Sequence, residues 1–204
     1  DLSAMLMALA ATQSLPTILV PGGVSLLSEE TDEDLGRIPS IGARYSQGEI
    51  SLDYAAHAAC RSCGSPCGGC QFLGTAATAQ VVAEALGLSL PHSALAPSGT
   101  EIWKDMGRRS ALAMLDLEKN GLTTADILSE KSLENALALH CAFGGSTNLI
   151  MHLPAIAHQA GLRRPNVDDW RRFNAEIPRL VDALPNGPQH FATVQVFLAG
   201  GVPE

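Results

Sequence analysis

The chain has 204 residues, 46% of them hydrophobic and 17% charged, a balance that lets it bury one sizeable core or two small ones. Its formal net charge of -8 at pH 7, with no Lys/Arg run interleaved with aromatics, repels phosphate backbones and excludes nucleic acid as the expected partner. No stretch approaches the ~18 to 20 uninterrupted apolar residues that span a bilayer, and the start lacks the basic region and cleavage site of a secretory signal, so the expected setting is cytoplasmic and reducing, with no membrane partner.

Leu2 to Ser14 is rich in Ala, Leu and Met and predicts a helix that Pro16 closes. Thr17-Ile18-Leu19-Val20, short and bounded by Pro21-Gly22-Gly23, predicts a buried parallel strand, and helix, strand and glycine turn together read as an α/β unit. The glycines mark either a ligand position at a strand's C-terminal end or a tight turn only. Ser28 to Arg37 carries Glu29, Glu30, Asp32, Glu33 and Asp34 without the alternation of a calcium loop, and reads as a solvated loop. From Ser51, an N-cap, residues Leu52 to Ala59 predict a short helix whose His57 is either a metal ligand or a surface residue.

That helix delivers the densest chemical signal in the chain. Cys60, Cys63, Cys67 and Cys70, four of the five cysteines, are separated by two, three and two residues on a backbone of Gly and Pro that cannot stay helical throughout. Thiolates so close together converge on one soft metal centre, zinc or iron-sulfur, with a disulfide framework as the competing reading. The cysteines end at the start of a helix predicted over Thr75 to Leu86, with an apolar stripe of Val81, Val82, Ala85 and Leu86 and a stop at Gly87. The positive end of that helix favours a thiolate or a bound anion.

Leu90 to Gly99 reads as a loop placed to line a site. Helices follow over Glu101 to Asn120, closed by Gly121, then Thr124 to Leu128 and Ser132 to His140. Gly144-Gly145-Ser146-Thr147-Asn148 before the helical spacing of Leu149 to Ala160 is either a plain helix start or a turn whose donors cradle a carboxylate or phosphate. His152 and His158, six apart, fall on different faces and are expected to pack or face solvent. Val167 to Asn174 predicts a short helix anchored by Trp170, Leu180 to Pro188 a turn-rich connection, and Thr193 to Ala199 a strand or helix. The chain begins at Asp1 inside an apolar helix and stops at Glu204 without an evident domain end, so it reads as a fragment.

Cys70-Gln71-Phe72-Leu73-Gly74-Thr75-Ala76-Ala77-Thr78 resembles the cysteine motif of the dihydroxy-acid and phosphogluconate dehydratase family, in which a Cys precedes Thr-Ala-x-Thr by five residues. Gly144 to Asn148 with Ala155-Ile156-Ala157-His158 is similar to a second signature, and Ala199 to Glu204 to a third. Gly42 to Tyr45, Gly48 to Leu52, Pro91 to Gly99 and Leu184 to Pro188 resemble the sugar-acid branch, which includes D-xylonate dehydratases. The resemblance implies a helix-rich, three-layer α/β domain around a mostly parallel sheet, incomplete in this chain, with residues 1–204 forming part of one N-terminal cluster-binding domain and the C-terminal domain absent.

It further implies a lyase that removes water from an aldonic acid to give a 2-keto-3-deoxy acid, using Mg2+ and a 2Fe-2S cluster, in a homo-oligomer of two or four subunits. Cys70 matches the last of three cluster cysteines, whereas Cys60, Cys63 and Cys67 match no family ligand position and stand as alternates. Ser146, Thr147 and Asn148 are the implied substrate-binding residues. The remaining cluster and Mg2+ ligands are expected upstream of Asp1, and the serine base in the absent C-terminal domain. A stand-alone zinc or iron-sulfur module using all four clustered cysteines is the alternative. On the dehydratase reading, this polypeptide alone, reconstituted with iron, sulfide and Mg2+, is expected to show no turnover in a dehydratase assay.

Overall fold

The computed structural model describes residues 13–26, 40–62, 68–69, 71–185, 188–189 and 191–204, without the side chains of 60–62. Among these the elements are α1 (Ile41–Ser46), α2 (Leu52–Ser62), α3 (Thr75–Ala85), α4 (Glu101–Lys119), α5 (Thr124–Ile127), α6 (Glu130–Phe143), α7 (Leu149–Gln159), α8 (Val167–Glu176) and α9 (Thr193–Leu198). No helix among the described residues is long and apolar enough to cross a membrane.

The centre of the molecule is α3. Ala77, Thr78, Val81, Val82, Ala83 and Glu84 are all buried, as is Leu86 just beyond, so the helix is covered on nearly every side. It packs on α6 and α7, and α6 packs on α8. Their apolar faces meet in one core that runs from Val24 and Leu73 through Leu137, Leu149, Leu153 and Trp170 to Phe197. A small separate cluster of Ile41, Ala55 and Ala58 joins α1 to α2.

Local chemistry sets the helix ends. Ser129 and Ser132 exchange hydrogen bonds of 2.9 and 3.2 Å between side chains and backbone N-H groups at the start of α6. Asn166 caps α8 by accepting from the Asp168 N-H at 2.9 Å, while Asp169 accepts from the Asn166 N-H at 2.8 Å and takes both guanidinium nitrogens of Arg163 at 2.8 and 2.9 Å. At the end of α3 the N-H groups of Gly87 and Leu88 return to the carbonyls of Glu84 and Ala83, the expected glycine stop.

The helical expectations hold with shifted bounds: α2 continues to Ser62, α6 begins at Glu130 and runs to Phe143, and 193–198 resolves as a helix. The helix expected over Leu2 to Ser14 and the acidic loop of Ser28 to Arg37 lie outside the described residues, except for 13 and 14. The strand expected at Thr17 to Val20 is not formed. That segment makes no bridge, with Val20 exposed and the Leu19 N-H donating to Leu88 O, and bridging starts at Val24, which pairs with Gly69 on one side and Pro97 on the other, both parallel. The Val24 N-H donates to Ala96 O at 2.9 Å and Ser25 N-H to Gly69 O at 3.0 Å. Gly68 is what lets these segments touch, because a Cβ there would lie 2.7 Å from Ser98 Cβ and 2.8 Å from the Val24 carbonyl carbon.

The expected helix-rich composition is therefore present, but the three-layer arrangement around a mostly parallel sheet is not seen among the described residues. Pairing stops at single bridges for a local reason: Pro21 and Pro97 have no N-H to donate, and glycines at 22, 23, 68 and 69 weaken a ladder. The burden of stability falls on helix packing. Replacing Leu137, 1% exposed on α6 where it packs in the core with α3, by Ala is expected to cost about 2 to 5 kcal/mol, read as a lowered urea midpoint of the full encoded polypeptide with an unchanged slope.

Candidate functional site

Two segments far apart in sequence are joined by hydrogen bonds at the N-terminal end of α3. The helix begins after Gly74, which has no side chain with which to cap the first-turn N-H groups. Thr75 and Thr78 of its first turn face the turn between α6 and α7. Thr78 Oγ1 accepts from the Ser146 N-H at 2.9 Å, and Thr75 Oγ1 lies 3.2 Å from Ser146 Oγ and accepts from Asn148 Nδ2 at 2.6 Å. The Asn148 N-H reaches Ser146 Oγ at 3.3 Å. Thr147 and Asn148 are exposed, Thr75 and Ser146 half-buried, so the cluster is a polar rim that opens to solvent beside a helix N-terminus. Hydroxyls, a carboxamide and helix N-H groups suit a ligand that carries both hydroxyls and a negative charge.

The turn is held from the other side by α6. Gly144 ends that helix in the left-handed region, with φ +63, and the Gly145 N-H returns to His140 O at 3.1 Å. His140 Nε2 then reaches Ser146 O at 2.9 Å, and its Nδ1 faces Trp170 Nε1 of α8 at 3.3 Å. Gly145 is pressed into this contact so closely that a Cβ would stand 2.8 Å from His140 Cδ2 and 2.9 Å from Thr78 Cγ2. Burial pushes the His140 pKa down, partly countered by its hydrogen bonds to the backbone of Ser146 and Gly145. The hydrogen bonds from Arg163 lower the pKa of the Asp169 carboxyl, fixing the start of the helix that carries Trp170.

Of the residues singled out in the sequence, Ser146 and Asn148 are brought together on Thr75, while Thr147 takes no side-chain partner among the hydrogen bonds of this cluster. Cys63, Cys67 and Cys70 lie outside the described residues, as does the Cys60 side chain, so the four-cysteine reading and the Cys70 reading both stand apart from the geometry here. The neighbours of Cys70 are fixed. Gly69 is bridged to Val24, and Gln71 is buried, its side-chain Nε2 donating to Leu26 O at 2.8 Å and its backbone carbonyl accepting from the Thr193 N-H at 2.9 Å. His57 is exposed on α2, and His158 on α7. Cys141 is buried on α6 and its thiol is pushed up by burial, which disfavours the thiolate a metal needs. Among the described residues no three His, Cys, Asp or Glu side chains converge on a metal position, so they do not by themselves make up a cluster or Mg2+ site.

Sequence reasoning missed Thr75 and Thr78 as individual partners, although it quoted their motif, and missed His140 entirely. A histidine four residues before a helix-ending glycine carries no signal of its own. It gained its role from Trp170, thirty residues away. The Leu90 to Gly99 loop is buried over most of its length, and its Pro91, His92 and Ala96 line a concavity with Met106, Arg109 and Phe197. Ser93 to Ser98 are buried, His92 and Leu95 take left-handed backbone at φ 59 and 64, and α3 supplies the bonds that hold them. Glu84 accepts from the N-H groups of His92, Ser93 and Ala94 at 2.6, 3.1 and 2.9 Å, and Gln80 accepts from that of Leu95 at 3.1 Å.

Residues 1–204 match the family model described as dihydroxy-acid/6-phosphogluconate dehydratase N-terminal, and the chain belongs to that family. It is 59% identical, over its whole length, to the D-xylonate dehydratase YagF of Escherichia coli K12, and 57% identical to YjhG, a second D-xylonate dehydratase of that organism. It is 37% identical over 98% of its length to a dihydroxy-acid dehydratase of Methanoregula boonei. The chain spans about a third of the length of these relatives, 31% of the first two and 36% of the third.

The lowered pKa of His140 fixes the sign of a pH effect. A histidine that is neutral in the fold below its unfolded pKa of about 6.5 contributes stability that is complete above that value and is lost as pH falls beneath it. Urea stability of the full encoded polypeptide is expected to drop between about pH 7.5 and 5.5 by more than in the variant H140Q, which has no titrating group there.

Proposed function

We propose that this chain forms the N-terminal part of a hydro-lyase that dehydrates an aldonic acid of the D-xylonate type to a 2-keto-3-deoxy acid. The observation that carries the reading is the Thr75, Ser146 and Asn148 cluster, which ties the cysteine-motif helix to the second family segment at a helix N-terminus. The identities of 59% and 57% to two D-xylonate dehydratases support the sugar-acid branch over the branched-chain one. In this reading residues 1–204 belong to one N-terminal α/β domain, and the paired parallel bridges at Val24 support extension into a mostly parallel sheet in the full-length enzyme.

The described residues bind and orient. The first-turn N-H groups of α3 face the carboxylate, while Ser146 Oγ, Thr147 Oγ1 and Asn148 Nδ2 meet the sugar hydroxyls. Cys70, five residues before Thr75, supplies one thiolate to a 2Fe-2S cluster, with Cys60, Cys63 and Cys67 as alternates. The other cluster ligands, those for Mg2+ and the serine base come from outside this chain. The working enzyme is a cytoplasmic homo-oligomer whose partner is a small sugar acid, without nucleic acid or membrane.

In the full encoded polypeptide, Ser146→Ala and Asn148→Ala are each expected to raise KM for D-xylonate about ten-fold, the loss of one hydrogen bond of about 1.4 kcal/mol. Formation of the 2-keto-3-deoxy product measures this. Absence of D-xylonate turnover by the unaltered enzyme, or wild-type KM in both variants, sinks the assignment.

A further inference from the structure

Ser146 is fixed at three atoms. Its N-H and its Oγ are held by Thr78 and Thr75 of α3, and its carbonyl is held by His140 of α6 at 2.9 Å, with Leu149 N-H sharing that oxygen at 3.1 Å. The direction of the His140 bond follows from its other partner. An indole N-H can only donate, so the Trp170 Nε1-H at 3.3 Å requires Nδ1 of the imidazole to be the bare, accepting nitrogen. The ring proton is then on Nε2 and donates to Ser146 O. The opposite tautomer would set two N-H groups against each other at Trp170 and two lone pairs against each other at Ser146.

Both rings are buried, His140 at 8% exposure and Trp170 at 5%, and they meet edge to face with centroids 6.4 Å apart. A Cβ at Gly145 would stand 2.8 Å from Cδ2, so the turn lies close against the flank of the imidazole. Trp170 is itself set by the Asn166 cap and the two-pronged Arg163–Asp169 pair at the head of α8. A single line of contacts thus runs from α8 through Trp170 and His140 to the peptide that presents Ser146 and Asn148.

We propose that His140 is a positioning residue for the ligand turn: locked as the Nε2-H tautomer by Trp170, it orients the Ser146 peptide so that Ser146 Oγ and Asn148 meet Thr75 in the geometry that receives a hydroxylated substrate. The substrate part of this statement rests on the aldonic acid reading; the positioning part does not. His140 touches no ligand. Its effect is on binding through the turn.

The test uses H140Q, H140L and W170F in the full encoded polypeptide, with two readouts: amide hydrogen exchange over residues 144–149, and kcat and KM for D-xylonate. Gln places an amide N-H at the reach of Nε2, and Leu does not. H140L is expected to speed exchange and raise KM, each about ten-fold, with kcat within about three-fold, while H140Q returns both to within about three-fold of wild type. W170F, which frees the tautomer, should move both readouts about three-fold in the direction of H140L. If H140L does not fold, W170F against H140Q carries the comparison. The proposal is overturned if H140L and H140Q behave alike, since ring volume is then what matters, or if the variants lower Tm while exchange and KM stay at wild-type values. If exchange follows the expected order but the unaltered enzyme dehydrates no aldonate, positioning stands and the substrate reading falls.

Discussion

A helix buried on nearly every side must be apolar all round or must find a partner for each polar side chain it carries, because an unpaired buried group costs about 1 to 3 kcal/mol. Helix α3 takes the second course, and the arrangement around it follows from where those partners lie. Thr78 reaches the Ser146 N-H, Gln80 spans Gly23 O and the Leu95 N-H, and Glu84 gathers three successive N-H groups of the 92–94 loop. These bonds join α3 to three segments, at Gly23, at 92–95 and at Ser146. One buried helix thereby registers the Val24 bridge, the Pro91 to Gly99 loop and the turn after α6 against one another.

The same economy explains why glycine recurs at the contacts. Where the turn after α6 meets α3, Gly145 occupies a space in which any Cβ would collide with His140 and Thr78, and Gly68 plays the same part between Val24 and Ser98. At Gly68 the close approach is to the backbone of Val24 and Ser25, and at Gly145 it is to the side chains of His140 and Thr78. The left-handed residues His92 and Leu95 are tolerated because the loop that contains them is held at both Glu84 and Gln80. His92 is further stacked on Phe197 at 4.3 Å, which ties α9 to the same loop.

Electrostatics acts locally in this molecule. The net charge of -8 leaves no general attraction for an anion, and among the described residues the cation nearest the turn after α6 is Arg179, whose guanidinium lies against Gly144. The pairing of Arg163 with Asp169 works at a distance from that site, by fixing the start of α8 and with it the indole of Trp170. Position, more than charge, is what the helices confer on the turn.

Much of the helical layout was legible in the sequence. Apolar periodicity, Ser and Asn caps and glycine stops are local signals, and α3, α4, α6, α7 and α8 fall where those signals lie, within a few residues. The family motifs were legible for the same reason, since residue type and spacing alone carry them. The strand was misplaced because Thr17 to Val20 has the composition of a buried strand, yet burial starts at Pro21 and pairing at Val24, where the partners Gly69 and Pro97 happen to approach. The joining of Thr75 to Ser146 and Asn148, and the histidine tautomer set by Trp170, were decided by the tertiary structure alone. They depend on which faces of α3, α6 and α8 come into contact, and that is settled by the packing of the whole core, not by any stretch of the chain read by itself.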